Sequence, residues 1–322
     1  MMLKSAFSEI ALPRRTLLHY RNSRFITQWK PFLLGQSEMR NLCKRVDYLN
    51  VNEKHIQGLL KFVIEEDPIG LVSKNFALAL QDHPDVFHVD FDKQQVELSP
   101  SVYNLNLEDR SDVINRVNFV LLHEGMIPWW AEEMIPVSHH FNSPPLLLLE
   151  KGAINLYGIK SYGIHVIGYV RDPPASRQIT HLWLQHRDKK DNNPAESSGR
   201  WLDGLASCKQ SYGVGLQQSV IQECAHEASL SIDLVKTAKP VGIVAYNGLD
   251  NFGNLKRDTL FCYDMEVPKE FVPKPSHADD KESFELRDIS TVIQQLISLD
   301  EKNESTIFKP SFSLALIDFY IR

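Results

Sequence analysis

The spacing of apolar residues along the chain follows two periods, and each period predicts a different kind of element. Recurrence every three or four residues is typical of a helix with one buried face. Alternation with polar residues, or a short apolar run between turn residues, is typical of a strand. Helices are predicted at residues 38–45, 73–82, 107–123, 213–230, 291–299 and 311–321. Strands are predicted at residues 59–64, 86–91, 95–98, 163–170, 181–186, 240–246, 259–267 and 282–287.

The order of these elements predicts two folded parts. Residues 38–150 mix short helices and strands in one smaller α/β unit, whereas residues 151–322 are richer in strands. In the second part, the order of strand, strand, helix, strands and helix departs from regular βαβ alternation. It predicts an α/β (α+β) fold in which a mixed sheet lies between helices. The polar residues 188–200 and 247–256 predict loops within this part.

Two acidic residues on the predicted helix 213–230 are the first candidates for chemistry. Glu223 and Glu227 are four residues apart, so they lie one above the other on one helix face, with His226 beside them. Such like charges repel by roughly 0.2–0.5 kcal/mol on an exposed helix. A divalent cation offsets that repulsion, and Mg²⁺ takes one or two carboxylates together with water and phosphate oxygens. The alternative is a solvated pair of acids on a surface helix.

Composition and cysteine spacing exclude several classes of protein. The chain of 322 residues is 43% hydrophobic and 24% charged, which is typical of a globular protein. It has no run of eighteen apolar residues, so no membrane-spanning helix is predicted. The cysteines lie far apart and form no CxxC pair, which favours a reducing compartment and argues against a cysteine zinc site. They are Cys43, Cys208, Cys224 and Cys262.

Charge is unevenly distributed between the start of the chain and the rest. Residues 1–37 hold six basic side chains and one acid, so they carry +5, and the remaining residues carry −11 of the total of −6. A basic, acid-poor start is typical of an organellar transit peptide, which predicts a mitochondrial protein. The alternative is a basic tail on a cytoplasmic protein. The acidic remainder argues against a nucleic-acid partner, because binding to phosphate backbones needs basic surfaces.

Several longer segments are similar, in order and spacing, to one family of proteins. The similar residues are 75–87, 127–137, 162–170, 201–203, 222–230, 256–264, 282–284 and 317–322, which include Trp130-Ala-Glu-Glu-Met-Ile-Pro-Val137 and Gln222-Glu-Cys-Ala-His-Glu-Ala-Ser-Leu230. Together they resemble the Nudix hydrolases that are similar to the N-terminal portion of fungal thiamine pyrophosphokinases, which have plant and yeast relatives. The resemblance extends from about residue 40 to the end of the chain.

The end of the predicted helix also resembles the Nudix box, the sequence motif of this family. Leu230 stands at its final aliphatic position, Glu227 at its last Glu and Glu223 at the Glu of its Arg-Glu pair. Positions that depart from the box are Cys208 for the first Gly, Val214 for the first Glu, Gln222 for Arg, His226 for the penultimate Glu and Ser229 for the last Gly. Among the thiamine-related members, Gly213-Val214 matches a Gly-Ile pair, whereas Cys208-Lys209 replaces a Gly-Gly pair.

The resemblance implies a Nudix fold at residues 151–322, preceded by a family-specific domain at 38–150 and a basic extension at 1–37. It implies hydrolysis of a diphosphate linkage that depends on Mg²⁺, or on Mn²⁺ in its place. The implied substrates are small diphosphates, either oxidised or damaged derivatives of thiamine diphosphate or oxidised nucleotides. Catalytic roles fall to Glu223 and Glu227, with Glu223 a candidate to orient or deprotonate water. The implied metal ligands are Glu223, Glu227, His226 and Glu282.

Each further candidate has a structural alternative. Glu282 can equally be a solvated acid beside Lys281. An aromatic ring can stack on a pyrimidine or thiazole, and a basic side chain can bind phosphate. Packing in the core, or a structural ion pair, explains the same residue types. The substrate-binding candidates on this basis are Trp183, His165, Tyr169, Arg257 and Lys209.

Two readings of the function stay open at this point. Retention of Glu223 and Glu227 favours an enzyme, whereas the changes at Cys208, Lys209 and His226 favour a Nudix fold that binds a ligand or a protein without catalysis. Imidazole at His226 weakens a magnesium site, because Mg²⁺ prefers oxygen ligands. A structural role in a larger organellar assembly is a third possibility. Beyond a small-molecule diphosphate, no nucleic-acid or membrane partner is predicted, and the oligomeric state is left open.

Overall fold

The structure is a computed structural model that describes residues 35–174, 176–187, 201–250, 252–275, 283–298 and 308–322. Most of the basic extension, the predicted loop at 188–200 and the candidate ligand Glu282 lie outside these residues. The helices are α1 Gln36–Leu49, α2 Glu53–Ile56, α3 Lys74–Gln81, α4 Pro100–Tyr103, α5 Leu107–His123, α6 Leu216–Ala228, α7 Ile232–Val235, α8 Ile289–Ile297 and α9 Pro310–Ile321.

The strands fall into two groups, with β1 to β6 in the first part of the chain and β7 to β13 in the second. They are β1 Leu60–Ile64, β2 Asp67–Val72, β3 Phe87–Asp90, β4 Gln95–Leu98, β5 Met134–Val137, β6 Leu147–Glu150, β7 Lys160–Val170, β8 His181–Arg187, β9 Trp201–Asp203, β10 Ala206–Lys209, β11 Lys239–Leu249, β12 Leu255–Glu266 and β13 Ser283–Asp288. The strongly periodic helices are confirmed, whereas the short strands β2, β5, β6, β9 and β10 were not predicted.

The loop predicted at 247–256 is shorter in the structure, because the flanking strands extend into it. β11 continues to Leu249 and β12 begins at Leu255, so only a tight turn joins them. The turn is held by Asp250, whose Oδ1 accepts hydrogen bonds from the backbone N–H of Phe252 at 3.0 Å and of Asn254 at 2.8 Å. A short aspartate side chain can satisfy the backbone of a turn in this way, which leaves the ladder on both sides intact.

The first unit is built on a four-stranded sheet in the order β2-β1-β4-β3. Its core closes around Tyr157, which is fully buried, with ring centroids 5.0 Å from Phe62 and 5.1 Å from Phe76. The Tyr157 hydroxyl donates to Asn118 Oδ1 at 2.9 Å, so α5 is bonded to the same core. Because this core continues to Ile159, we propose that the boundary between the two units falls there and not at residue 150.

The second unit is built on a seven-stranded sheet in the order β11-β12-β7-β8-β13, with β10 added to β7 and β9 to β8. β12 and β7 run parallel, and the other pairs are antiparallel. On β7, Ile164 and Val166 pack towards α6, whereas Ile167 packs towards α8 and α9. The predicted α/β fold, with a mixed sheet between helices, is therefore confirmed.

Helix α1 joins the core of the second unit although it precedes the first sheet in sequence. Leu42 is buried with residues of α8 and α9, and Arg45 donates to the carbonyl oxygen of Ser298 at 3.2 Å. The first described helix thus packs on the large sheet, and the chain then forms the first unit before it returns to that sheet. No helix in the described part of the chain combines the length and apolar character needed to cross a bilayer.

Candidate active site

Helix α6 carries the acidic pair and lies across the large sheet. It begins after Gly215 and ends at Ser229, whose φ of 54° is left-handed. Val220, Cys224 and Ala228 are buried against the sheet, as their four-residue spacing predicts. This packing places Glu223 and Glu227 at the margin of the apolar face, where they meet side chains from the sheet and from the first unit.

Glu227 is held in place by two groups of the sheet. The guanidinium of Arg187, at the end of β8, donates to Glu227 Oε1, and the backbone N–H of Ser207 on β10 donates to Oε2 at 3.0 Å. Arg187 is fixed in turn, because its Nε lies 3.1 Å from Asp203 Oδ2. One carboxylate of the pair is therefore oriented by a network that reaches into the core.

That network is centred on Asp203, which is buried on β9. Lys309 Nζ donates to Asp203 Oδ2 at 2.9 Å, and Arg187 Nε lies 3.1 Å from the same oxygen. Burial alone would raise the pKa of Asp203, but the charges of Lys309 and Arg187 outweigh it and hold the pKa well below its usual range. Asp203 is therefore an anion that positions Arg187, and through Arg187 it positions Glu227.

Glu223 lies in a contrasting environment. It accepts no hydrogen bond from the described residues, and its side chain is partly buried beside Cys208. Burial, followed by the charges of Glu227 and Glu133, raises the pKa of Glu223 to about 7 against the opposing charges of Lys151 and Arg187. A carboxylate that is crowded by like charges is a group that a cation would stabilise in its charged form.

The first unit contributes to this site through the ribbon of β5 and β6. Lys151, which follows β6, donates to Glu133 Oε2 at 2.6 Å, and the Ser211 hydroxyl donates to Glu133 Oε1. Both Glu133 and Lys151 act on the pKa of Glu223, so they lie close to it. Sequence reasoning missed them as site residues. The available signal was the family-like segment Trp130–Val137, which contains Glu133.

Lys209 and Arg257 are held by partners away from the acidic pair. Lys209 Nζ donates to Asp258 Oδ1 at 2.8 Å and to Ser161 Oγ, so its ammonium is engaged in a buried ion pair. Arg257 donates to the carbonyl oxygen of Gly158 at 3.2 Å. His226 is exposed on α6. These placements leave Lys209 without a free charge for phosphate.

Two of the aromatic candidates, His165 and Trp183, are buried in the core, and the third, Tyr169, is partly buried against it. His165 is fully buried, with its ring centroid 5.4 Å from that of Phe312, and burial lowers its pKa to about 4. Trp183 is only 5% exposed and lies in the core beneath α6. The ring centroid of Tyr169 is 6.3 Å from that of Phe319. For these three residues the observed contacts are those of packing in the core, which is the structural alternative to ligand binding.

A cavity of about 200 Å³ opens beside the start of α6. Its walls come from β5, from the connection between β5 and β6, from Tyr162 on β7 and from residues 210–216. Ser211 lines the cavity and also donates to Glu133, so the cavity adjoins the acidic group. The site therefore combines a concave surface with two carboxylates on a rigid helix.

The donor atoms fit a hard divalent cation that also binds substrate. Within the described ranges, His, Cys, Asp and Glu side chains form no ready-made cluster of three metal ligands. Mg²⁺ does not require one, because it commonly uses one or two carboxylates and takes its other ligands from water and phosphate. Glu223 offers a carboxylate free of hydrogen bonds, and the oxygens of Glu227 each accept one bond and retain a further lone pair.

Comparison with known proteins identifies the family. A family model described as a domain of unknown function, DUF4743, matches residues 41–161. The chain is 31% identical over 295 residues to "Nudix hydrolase 20, chloroplastic" of Arabidopsis thaliana, with 89% of this chain and 74% of that protein covered. It is 30% identical over 289 residues to "Nudix hydrolase 24, chloroplastic" of the same plant, with the same coverage. The chain belongs to the Nudix hydrolase family.

Similarity to solved structures is much weaker. A Caenorhabditis elegans Ap4A hydrolase in a binary complex is 11% identical, with a TM-score of 0.32 over 50% of this chain and 97% of that one. The family assignment therefore depends on the sequence identity to the two plant relatives.

Proposed function

We propose that this protein is a Mg²⁺-dependent Nudix diphosphatase whose catalytic carboxylates are Glu223 and Glu227. The observation that supports this most is the contrast within the pair. Glu227 is oriented by Arg187 and by the Ser207 backbone. Glu223 accepts no hydrogen bond from the described residues, and burial followed by the charges of Glu227 and Glu133 raises its pKa. Carboxylates that only solvate a helix would point to water.

The two carboxylates take different roles in this proposal. Glu227, held by the network through Arg187 and Asp203, binds the cation in a fixed orientation. Glu223 shares the cation or accepts the proton of the attacking water, since its environment favours uptake of a proton. When bound, Mg²⁺, or Mn²⁺ in its place, neutralises the diphosphate and so favours attack on phosphorus. His226 and Glu282 stay secondary candidates as ligands.

The proposed substrate is a thiamine diphosphate derivative, in its oxidised or damaged form, or an oxidised nucleotide. The resemblance of segments such as 127–137 and 222–230 to thiamine-related Nudix proteins supports this choice. The two plant relatives are named chloroplastic, and together with the basic start of the chain this supports an organellar location, with the mitochondrion our specific proposal. Sequencing the amino terminus of the mature protein tests it, and an uncleaved chain found only in the cytoplasm would contradict it.

A non-catalytic binding module is the second candidate. The observation that favours it is the ion pair between Arg187 and Glu227, which already neutralises one carboxylate without a metal. The departures from the box at Cys208, Lys209 and His226 are consistent with a lost metal centre. On this alternative the cavity binds a ligand that is not hydrolysed.

Phosphate release from oxothiamine diphosphate distinguishes the two candidates. The intact protein should release phosphate in Mg²⁺ and stop when EDTA is added. We expect Glu227→Gln and Glu223→Gln each to lower kcat by at least about 100-fold, because each removes a carboxylate that stabilises the transition state. A 100-fold loss corresponds to about 2.7 kcal/mol of activation free energy, at 1.36 kcal/mol per factor of ten. The matched control is Glu124→Gln, an exposed glutamate at the end of α5, which should keep full activity.

The opposite result is equally specific. If no diphosphate in a panel of thiamine and nucleoside derivatives is hydrolysed, while calorimetry detects binding of one of them, the protein is the binding module. Activity that survives both Glu→Gln substitutions would show instead that the catalytic centre lies elsewhere.

A further inference from the structure

Three aromatic rings from both units meet beside the cavity, and two of them, Phe141 and Tyr162, line it. The ring of Phe141, in the connection between β5 and β6, lies 5.0 Å from that of Tyr162 on β7 and 4.7 Å from that of Phe261 on β12. Phe141 is 36% exposed although it touches two rings. An aromatic side chain that is ordered by neighbours yet open on one face is suited to stacking on a ligand ring.

The size of the cavity restricts what it can bind. Its volume is about 200 Å³. An apolar cavity of about 150 Å³ in another protein holds one benzene molecule, so this cavity has room for one substituted six-membered ring. Whole ligand pockets are larger, about 300–1,000 Å³. The cavity therefore fits part of a ligand, with the remainder of the ligand lying outside.

The lining of the cavity contains both apolar and polar residues. Ile135 and Phe141 supply apolar surface, while Ser138, Gln210 and Ser211 also line the cavity. Gln210 is buried, and its Oε1 accepts a hydrogen bond from Ser219 on α6 at 3.1 Å. A hydrocarbon chain needs no such polar residues. A planar heteroaromatic ring uses both surfaces, because its faces are apolar and its edge carries nitrogen and oxygen atoms.

The cavity also lies at a useful distance from the acidic pair. Leu216 lines the cavity and Glu223 is seven residues further along α6, so the two are about 10 Å apart along the helix axis. Ser211 connects them, since it lines the cavity and donates to Glu133 beside Glu223. A diphosphate and its linking atoms can extend from the carboxylates to a ring in the cavity.

We propose that this cavity is the subsite for a single planar aromatic ring of the substrate, which stacks on Phe141. This rests on the proposed diphosphatase function and deepens it. The substrate class is then a diphosphate ester whose alcohol carries a monocyclic aromatic ring of pyrimidine size that can enter the cavity, and not a fused purine. The first unit has a direct part in specificity, because the connection between β5 and β6 supplies the stacking residue.

Steady-state kinetics with ring-bearing and ringless diphosphates test the proposal. Phe141→Ala should raise KM about tenfold for oxothiamine diphosphate and cytidine diphosphate, which is the scale of one lost stacking contact, with kcat changed less than twofold. KM for isopentenyl diphosphate, which has no aromatic ring, should not change. Phe141→Tyr should restore the KM of the wild type. Phe252→Ala, at an exposed phenylalanine outside the cavity, is the control and should change none of these values.

Three results would overturn the assignment. The first is an unchanged KM for the ring-bearing substrates in Phe141→Ala. The second is an equal rise for isopentenyl diphosphate, because a general disturbance of the site would affect all substrates alike. The third is tighter binding of guanosine diphosphate than of cytidine diphosphate by the wild type, which would contradict the assignment of a single ring.

Calorimetry separates this proposal from the diphosphatase function. A methylene-bridged diphosphate analogue of thiamine, which resists hydrolysis, is titrated into each protein with Mg²⁺ present. If no substrate is hydrolysed but the analogue binds to the wild type about tenfold more tightly than to Phe141→Ala, the ring subsite stands and the hydrolytic function fails. If hydrolysis depends on Glu223 but analogue binding does not depend on Phe141, the function stands and the ring subsite fails.

Discussion

At the scale of single residues, two glutamates one helical turn apart have opposite environments. Glu227 accepts hydrogen bonds from Arg187 and Ser207, while Glu223 accepts none from the described residues and has a pKa of about 7. Their four-residue spacing predicts that both lie on one face of a helix, and this helix is confirmed as α6. The difference between them was not predictable, because Arg187 and Ser207 approach from strands 40 and 20 residues away.

The raised pKa of Glu223 predicts a dependence of stability on pH in the metal-free protein. Its unfolded value is about 4.3, and its folded value is about 7. The folded state therefore binds the proton more tightly, and stability is lost as pH rises from the first value through the second. At pH 8 in EDTA, Glu223→Gln should be more stable than the wild type by about 1–2 kcal/mol, a discounted figure because the side chain is partly exposed.

Urea unfolding at two pH values measures this effect. At pH 4 the glutamate is protonated in the folded state, so the two proteins should unfold at closely similar urea concentrations. An equal gain at pH 4 and pH 8 would show that packing, and not charge, explains the difference. The same substitution that stabilises the protein is expected to abolish hydrolysis, as is common for strained active sites.

At the scale of elements, the position of β10 beneath α6 depends on a glycine in β7. Gly163 pairs with Lys209, and a Cβ at this position would lie 2.3 Å from the backbone oxygen of Cys208. Backbone cannot move aside as a flexible side chain can. The strand pattern at 163–170 was confirmed, but β10 was too short to be predicted. Its role in presenting the Ser207 N–H to Glu227 is visible only in the sheet.

We expect Gly163→Ala to separate β10 from β7 and to destabilise the protein by about 1–3 kcal/mol, as overpacking usually does. Turnover should fall as well, since Glu227 loses the donor that β10 supplies. Gly242→Ala is the matched control in the same sheet, because an added Cβ there would meet only Asp318, at 3.5 Å. Unfolding in urea and phosphate release measure the two effects. Equal losses for both variants would argue against the close approach as the cause.

At the scale of the whole molecule, the two units share elements that are distant in sequence. Helix α1 precedes the first sheet but packs on the second, and the ribbon of β5 and β6 brings Glu133 and Lys151 to the acidic pair on α6. The candidate site is therefore not complete within residues 151–322. The first unit supplies charge beside Glu223 and an aromatic wall to the cavity.

The shared packing predicts that a change in α1 weakens the second unit. Leu42 is 2% exposed among residues of α8 and α9, so Leu42→Ala should lower the free energy of unfolding by about 2–5 kcal/mol. Amide hydrogen exchange should accelerate in α9, more than 260 residues further along the chain. Met39→Ala, at a residue that is 42% exposed on the same helix, should change stability by less than about 0.5 kcal/mol. Unchanged exchange in α9 would show that α1 packs independently.

The sequence by itself determined the periodic elements, the mixed α/β class and the face on which Glu223 and Glu227 lie. These follow from local spacing, because a helix or a strand imposes its own period on residues that are close in sequence. Only the tertiary structure decided which carboxylate is bonded, that Lys209 is engaged by Asp258, and that Phe141 and Glu133 adjoin the site. Those contacts join residues far apart in the chain, so no local pattern records them.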